Sequence, residues 1–541
     1  MDNGRPQPIP AEKESALSPF VDGDKTAIAN LDLEKSAIDT DEIRLEDTVV
    51  ELSNSSVGYH LWHFRLNRMT REYVIDGLFW LAVRKLLHKK GYAKRAIGKD
   101  FLFIKKTGNV IKEVSAQIMR DDIIRYVEAF SEGIRFMHKN FTHQFPPEAL
   151  LETFLNNSNN LFNNFWLQHL NVHSEPLLKD IRDEMFFVFQ NGVVTVSREG
   201  VILGKLEAMK GICIWEDQII PHRFVPESVG EKTHFEAFLS NISYGNEQRL
   251  ITMYSGIGYL LHHYSSPSEG QAVILYDESM GDGNVPMGGS GKGILVNAIK
   301  QVRRVSKVDG KLLEFKNKFK WEMITPSTQV AWLDDVKPDF DFSMLHSNLA
   351  EGWTIERKFL PQYLIAPEDS PKTVISSNSI IKGSGPTNKR RQFIIEVGDF
   401  YSKQIIHGHE KPIQDTHGCM FFDKIDWQNE DWNGFFMIML SCAQLYLTNG
   451  LVPFEGSNVE YKKLIESTNK IFVGWVQIQN FQPQVDYDTT TYWQIYLLFL
   501  PFRWTNLSQR QFSEYLKDYA TYKGWKYVNC PRGGTAYFRF E

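Results

Sequence analysis

The chain has 541 residues, 42% hydrophobic and 23% charged, ordinary for a soluble globular protein and enough apolar material for about three to four cores. Its net charge of -6 is uneven: residues 1 to 50 hold twelve acidic and five basic side chains, a balance of -7, which leaves the rest at +1. A near-neutral body neither demands nor excludes nucleic acid. Cys213, Cys419, Cys442 and Cys530 are scattered without a C-x-x-C pair. That argues against a disulfide framework or a zinc ribbon. The start has no basic-then-apolar leader, and no apolar run reaches the ~20 residues of a membrane span. A soluble protein of the reducing cytoplasm is expected.

Residues 1–50 are rich in Pro, Asp, Glu, Ser and Ala and cannot bury enough apolar surface to offset the entropy of ordering. They read as a disordered acidic tail, either simply solvated or a docking segment. From 51 to 183 the reading is a mostly helical domain, with the run Tyr73, Phe79, Trp80, Leu81, Val83, Leu86, Leu87 and a hairpin turning at Thr107-Gly108. His88, Lys89, Lys90, Lys94 and Arg95 form a cationic set that either touches DNA or marks a solvated helix end. Residues 184–230 are β-rich, with MFFVF, VVTVS and CIWED separated by Asn191-Gly192 and Glu199-Gly200. Residues 231–268 return to helical spacing as a collar, through Leu250, Met253, Ile257, Leu260 and Leu261.

The segment 269–410 carries the chemistry. An apolar strand, Ala272 to Tyr276, precedes MGGSGKG, Met287 to Gly293, and a helical pattern follows. In that context, backbone N–H groups of a glycine-rich loop and the helix it opens make a concave anion site suited to β- and γ-phosphates. Gly288, Gly289, Ser290, Gly291, Lys292 and Gly293 would hold the ATP phosphates, Lys292 as a point charge. Pro286 stands where G-x-x-x-x-G-K-[ST] has its first glycine, and Gly293 where it has Ser or Thr. The hydroxyl that would ligate Mg2+ is therefore missing.

Further on, VAWLDDV (Val330 to Val336) is an apolar strand ending in paired carboxylates, suited to Mg2+ at Asp334 and to polarising water at Asp335. KTVISSN (Lys372 to Asn378) is another, ending in an amide that could meet a γ-phosphate. Arg390 and Arg391 follow, guanidinium groups of the kind that complete a neighbouring subunit's site. Between them lies GWTIERK, Gly352 to Lys358, strand-like with a basic end. His407, His409, His417 and Cys419 offer metal-ligand atoms at intervals matching no common zinc module.

This ordered set resembles the superfamily 3 helicases of the AAA+ class, in particular the primase-helicases of phages and mobile elements related to the poxvirus type. His417-Gly418, Phe422-Asp423, Asp426-Trp427 and Asp431-Trp432 echo a later run of that family. The resemblance covers about Phe235 to Leu451. It implies an AAA+-like P-loop α/β core with a parallel sheet, ATP and Mg2+ as cofactors, and unwinding of single-stranded or forked DNA during replication. It also implies a homo-oligomer, a hexameric ring, in which Asp334, Asp335 and Asn378 act in cis and Arg390 or Arg391 in trans. Arg357 and Lys358 would lie on a DNA-tracking hairpin. Relatives of this kind often carry a primase domain built on paired carboxylates on a β-sheet; since the tail here reads as disordered and the next block as helical, a primase would be a separate protein. A nucleotide-dependent initiator or loader, and a DNA-dependent P-loop ATPase without unwinding, are the alternatives.

After the core, 411–455 reads as a helical extension, with Asn433 to Leu451 as a buried helix closed by Asn449-Gly450. Residues 456–541 read as a C-terminal winged-helix-like domain: a helix N-capped by Ser508, then two strands joined by PRGG with Arg532 at the tip.

Overall fold

The structure, a computed structural model, describes residues 61–541 except 98–99, 130–132, 139–140, 207–208, 226–232, 267–269, 279–287, 315, 339, 359, 382–385, 457–458 and 502–505. The expected acidic tail, and Pro286 and Met287, lie outside the described residues.

The first domain pairs β1 (Trp62–Leu66) with β2 (Tyr73–Leu78), then runs through α1 (Trp80–Lys89) into β3 (Tyr92–Ile97), β4 (Asp100–Thr107) and β5 (Val110–Glu113). β4 and β5 make the expected hairpin, with Gly108 in its turn at φ 59. Next come α2 (Ala116–Glu128), the ribbon of β6 (Ile134–His138) with β7 (Phe141–Phe145), α3 (Pro147–Leu161) and the short α4 (Asn164–Leu167). Among the described residues of this block, seven strands and four helices correct the expectation of a mostly helical one. The aromatic run that suggested one helix divides into a strand and a helix at Phe79, because short apolar runs satisfy either period. Trp62, Phe64, Leu86, Leu87 and Phe154 are buried together, and Trp62 Nε1 donates to the Leu150 carbonyl at 3.0 Å.

β8 (Met185–Phe189), β9 (Gly192–Val196) and β10 (Val201–Gly204) form an antiparallel meander. β11 (Ile214–Trp215) leaves it and pairs in parallel with β5, Ile214 opposite Val110 and Trp215 opposite Ile111. The four-stranded sheet β11-β5-β4-β3 thus crosses the boundary expected at 183/184.

α5 (His234–Ile242) and α6 (Glu247–Leu261), N-capped by Thr233 and Asn246, lead into the core. There follow β12 (Ala272–Asp277), α7 (Lys292–Lys300), β13 (Val305–Asp309) and β14 (Val330–Asp334). α8 (His346–Glu351) precedes a hairpin of β15 (Trp353–Arg357) and β16 (Leu360–Ile365); β17 (Lys372–Ser377), α9 (Pro386–Arg391) and β18 (Gln392–Val397) complete the layer. The sheet order is β13-β14-β17-β12-β18, every pair parallel. Every residue of β12 and of β17 is buried, as a parallel strand covered on both faces requires. Val273 and Leu275 enter the cluster shared with α5, α6 and α7; Ala272, Ile274 and Tyr276 face the opposite one, with Trp321, Trp353 and Tyr363.

α10 (Phe400–Ile406) and α11 (Pro412–His417) precede α12 (Asn429–Asn449), which opens with a Gln428/Asp431 capping box and ends at Gly450, φ 69. Its contact with α6 is close: a Cβ on Gly258 would stand 2.1 Å from the Cys442 carbonyl oxygen. Among the described residues, no helix is long and apolar enough to cross a membrane.

The last domain comprises α13 (Val459–Ser467), α14 (Lys470–Gln479), β19 (Tyr487–Asp488), α15 (Thr489–Phe499), α16 (Gln509–Lys523), β20 (Tyr527–Asn529) and β21 (Tyr537–Phe540), with sheet order β19-β21-β20. Trp475, Tyr496, Phe512, Phe538 and Phe540 fill its core, and Ser508 with Gln511 caps α16.

Candidate functional site

β12 is entered first, yet it sits between β17 and β18, the last two strands, so the connection from β12 runs to one side, to β13, and that from β17 to the other, to β18. Open parallel α/β sheets bind ligands in the crevice between such connections, at the carboxyl ends of the strands. The described part of the glycine-rich loop lies there. Gly289 (φ 92) and Gly291 (φ 108, the N-cap of α7) hold left-handed conformations, and both are crowded: an added Cβ would stand 2.4 Å from Ile405 Cδ1 at Gly289 and 2.9 Å from Phe238 Cζ at Gly291. Ser290 is buried; Gly288 and Gly289 are exposed. Gly293 is different, because a Cβ there meets no atom within 4 Å.

Lys292, the first residue of α7, donates from Nζ to Asn378 Oδ1 at 2.8 Å and pairs with the Asp277 carboxylate. Asn378 in turn donates to Asp335 Oδ1 at 2.9 Å. The ends of β12, β17 and β14 therefore present a row of carboxylate, amide and carboxylate, with the lysine above it. Asp335 adopts φ 54, so neighbouring Asp334 and Asp335 turn to different partners. Ser376 Oγ stabilises that bend: it donates to Asp334 Oδ1 at 2.6 Å and accepts the Asp335 N–H and Trp332 Nε1–H, each at 3.1 Å. Lys307 lies 2.6 Å from Asp334 Oδ2 and Lys311 2.5 Å from Asp335 Oδ2; the Asp335 carboxylate holds the Lys311 ammonium above its usual pKa. Six charged groups, in three pairs, thus converge on one sheet edge.

Five of the expected residues are accordingly brought together at this edge: Lys292, Asn378, Asp334, Asp335 and, through the loop, Gly291. Arg390 and Arg391 are not. They end α9, just before β18 begins at Gln392 opposite Ala272, which places them at the amino edge of the sheet, about 20 Å along the strands from the loop. Arg357 lies 3.1 Å from Glu113 and over the Tyr363 ring, and Lys358 follows it at an exposed position. Lys90 pairs with Asp122, and Arg95 donates to the Glu175 carbonyl at 2.8 Å, so these cations serve the first domain. His407, His409, His417 and Cys419 do not assemble: His417 bonds Tyr401 at 2.6 Å and His409 pairs with Asp415 at 3.0 Å.

Sequence reasoning missed Asp277, Ser376, Lys307 and Lys311. Asp277 had a signal, since AVILYD is an apolar strand ending in a carboxylate, like VAWLD. The two lysines had none: their pairing depends on β13 lying beside β14, which only the strand order reveals.

No protein-family model and no curated protein matches the chain. Among solved structures it is similar to the apo NrS-1 C terminal region, A form, at 10% identity and TM-score 0.37, covering 85% of this chain and 98% of that one. A second apo structure of that region, residues 305–718, matches at 11% identity and TM-score 0.37 with the same coverage. A JCV helicase matches at 13% identity and TM-score 0.24, over 42% of this chain and 58% of that one.

Proposed function

We propose that the chain is an ATP-dependent DNA helicase that works as a ring-shaped homo-oligomer on single-stranded or forked DNA during replication, with priming left to another protein. The observation carrying this reading is the hydrogen-bonded row Asp277, Lys292, Asn378, Asp335 at the carboxyl edge of a parallel sheet, beneath a loop in which Gly289 and Gly291 hold left-handed conformations. In this reading the amides of Gly288 to Gly293 cradle phosphate oxygens, and Lys292 leaves its resting partners to neutralise the γ-phosphate. Asn378 then exchanges the lysine for phosphate, which links β17 to the state of the nucleotide. Asp335 orients the attacking water. Asp334 fits a role in holding Mg2+, which when bound would spread the charge of the transferred phosphoryl group. Arg390 and Arg391, remote from Lys292 in their own chain, would serve a neighbour's site. Lys358, exposed at the tip of the β15–β16 hairpin, would contact DNA, with Arg357 beside it on the same hairpin. The helix, helix, strand, helix, helix, hairpin order of the last domain suits a winged-helix-like DNA contact.

Lys292→Ala should reduce DNA-stimulated ATP turnover by about a hundredfold or more while leaving the chain folded, the scale for losing a group that meets the transferred phosphate. Retained turnover would sink the assignment. A nucleotide-dependent initiator or loader is the second reading, favoured by the absent hydroxyl at Gly293. A strand-displacement assay on a forked substrate separates them: binding of ATP and DNA without displacement selects the loader.

A further inference from the structure

The Asp277 carboxylate is 7% exposed at its side chain and ends β12, the strand that precedes the phosphate loop in the chain. Oδ2 pairs with Lys292, and Oδ1 is buried without a hydrogen-bond partner. An orphaned carboxylate oxygen at a sheet edge built for anions calls for a reason, because burying a charge is costly unless its lone pairs are used. The cost rises once phosphate arrives: the lysine is drawn to the γ-phosphate, and a carboxylate is left facing a triphosphate, two like charges in a site of low dielectric. A second cation resolves that conflict. The same loop lacks a ligand for one, since Gly293 stands in place of the hydroxyl and the space around its Cβ position is open.

Resting on the triphosphate reading of the loop, we propose that Asp277 is the divalent-cation ligand that takes the place of the missing Gly293 hydroxyl. Lys292 occupies the carboxylate in the resting state, and Mg2+ arriving with the nucleotide replaces it. Asp277 is then both the counter-ion that pre-positions the lysine and the group that makes nucleotide binding depend on Mg2+.

The test uses the full chain and a fluorescent ATP analogue, titrated with Mg2+ and with excess chelator, so that the readout is affinity rather than turnover. Wild type should bind the analogue much more tightly with Mg2+. Asp277→Asn keeps the side-chain shape. Without Mg2+ it should bind about tenfold more tightly than wild type, because the repulsion is gone; with Mg2+ it should bind about tenfold more weakly, the scale of one contact to a charged group. Gly293→Thr supplies the second arm: the hydroxyl should restore the Mg2+ dependence in Asp277→Asn and change it little when Asp277 is present, a non-additivity that marks one shared role. If Asp277→Asn shifts both affinities in one direction by the same factor, Asp277 only holds Lys292 and the inference fails. It also fails if Gly293→Thr strengthens the Mg2+ effect equally in both backgrounds. Should wild type bind no analogue with or without Mg2+, the phosphate reading itself falls, and this inference with it.

Discussion

His263 shows how one buried ring ties stability to pH. Its Nε2 is buried without a partner, while its backbone N–H donates to Asp180 at 2.7 Å; burial lowers its pKa to about 4. His417, beside Tyr401, is likewise lowered to about 4, by burial first and by His234 second. Between the ordinary value of about 6.5 and the folded value, the unfolded chain binds protons that the native one refuses, so stability is level above pH 6.5 and falls as the pH drops toward 4. Thermal melts at pH 7.5, 6 and 5 should show Tm declining across that window. His263→Gln should flatten the decline, and a variant with the wild-type slope would show that the ring is not the titrating group.

Among elements, α7 decides whether the site keeps its shape, and it is fixed at both ends. Its start is the loop; just past its end, Arg303 is buried and uses every guanidinium nitrogen: Nε donates to the Leu261 carbonyl at 2.7 Å, Nη1 to the Phe186 carbonyl at 2.8 Å, and Nη2 to Asp180 at 2.9 Å. Phe187 stacks against it at 4.0 Å. Asp180 also accepts the Phe186 and His263 N–H groups. Removing one partner of such a pair leaves a buried uncompensated charge, so Asp180→Ala should cost about 3–5 kcal/mol in urea unfolding, against under ~1 kcal/mol for the exposed pair Lys517–Glu514. Equal losses would refute the argument. This knot was illegible in the sequence, since nothing local marks Asp180 and Arg303 as partners. The strands β8, β9, β12, β14 and β17, the Thr107-Gly108 turn and the Ser508 cap were legible, because each is written in a window of a few residues. Lys292, Asp334, Asp335 and Asn378 were legible for the same reason, each ending or following an apolar run. The first domain was misread where strand and helix share one apolar run, at Tyr73 to Leu87.

Over the whole molecule, Lys292 lies at the carboxyl edge of the core sheet and Arg390 and Arg391 at the amino edge. In the proposed function these are complementary halves of one site, which a second copy turned head to tail would close. Lys292→Ala and an Arg390→Ala/Arg391→Ala double variant should each be nearly inactive alone. Mixed, they should regain up to about a quarter of wild-type ATP turnover, since a random interface pairs one intact lysine with one intact arginine pair about that often. No recovery would return the arginines to a structural role within the chain.

The pairing of β11 with β5 also bears on how the protein is made. Val110 and Ile111 emerge from the ribosome about a hundred residues before Ile214 and Trp215, and until then the edge of β5 has no strand beside it. An open apolar edge is a template for pairing between chains. The nascent first domain therefore passes through an interval in which it is adhesive, and a fragment ending near residue 183 should aggregate where one ending near residue 225 stays dispersed.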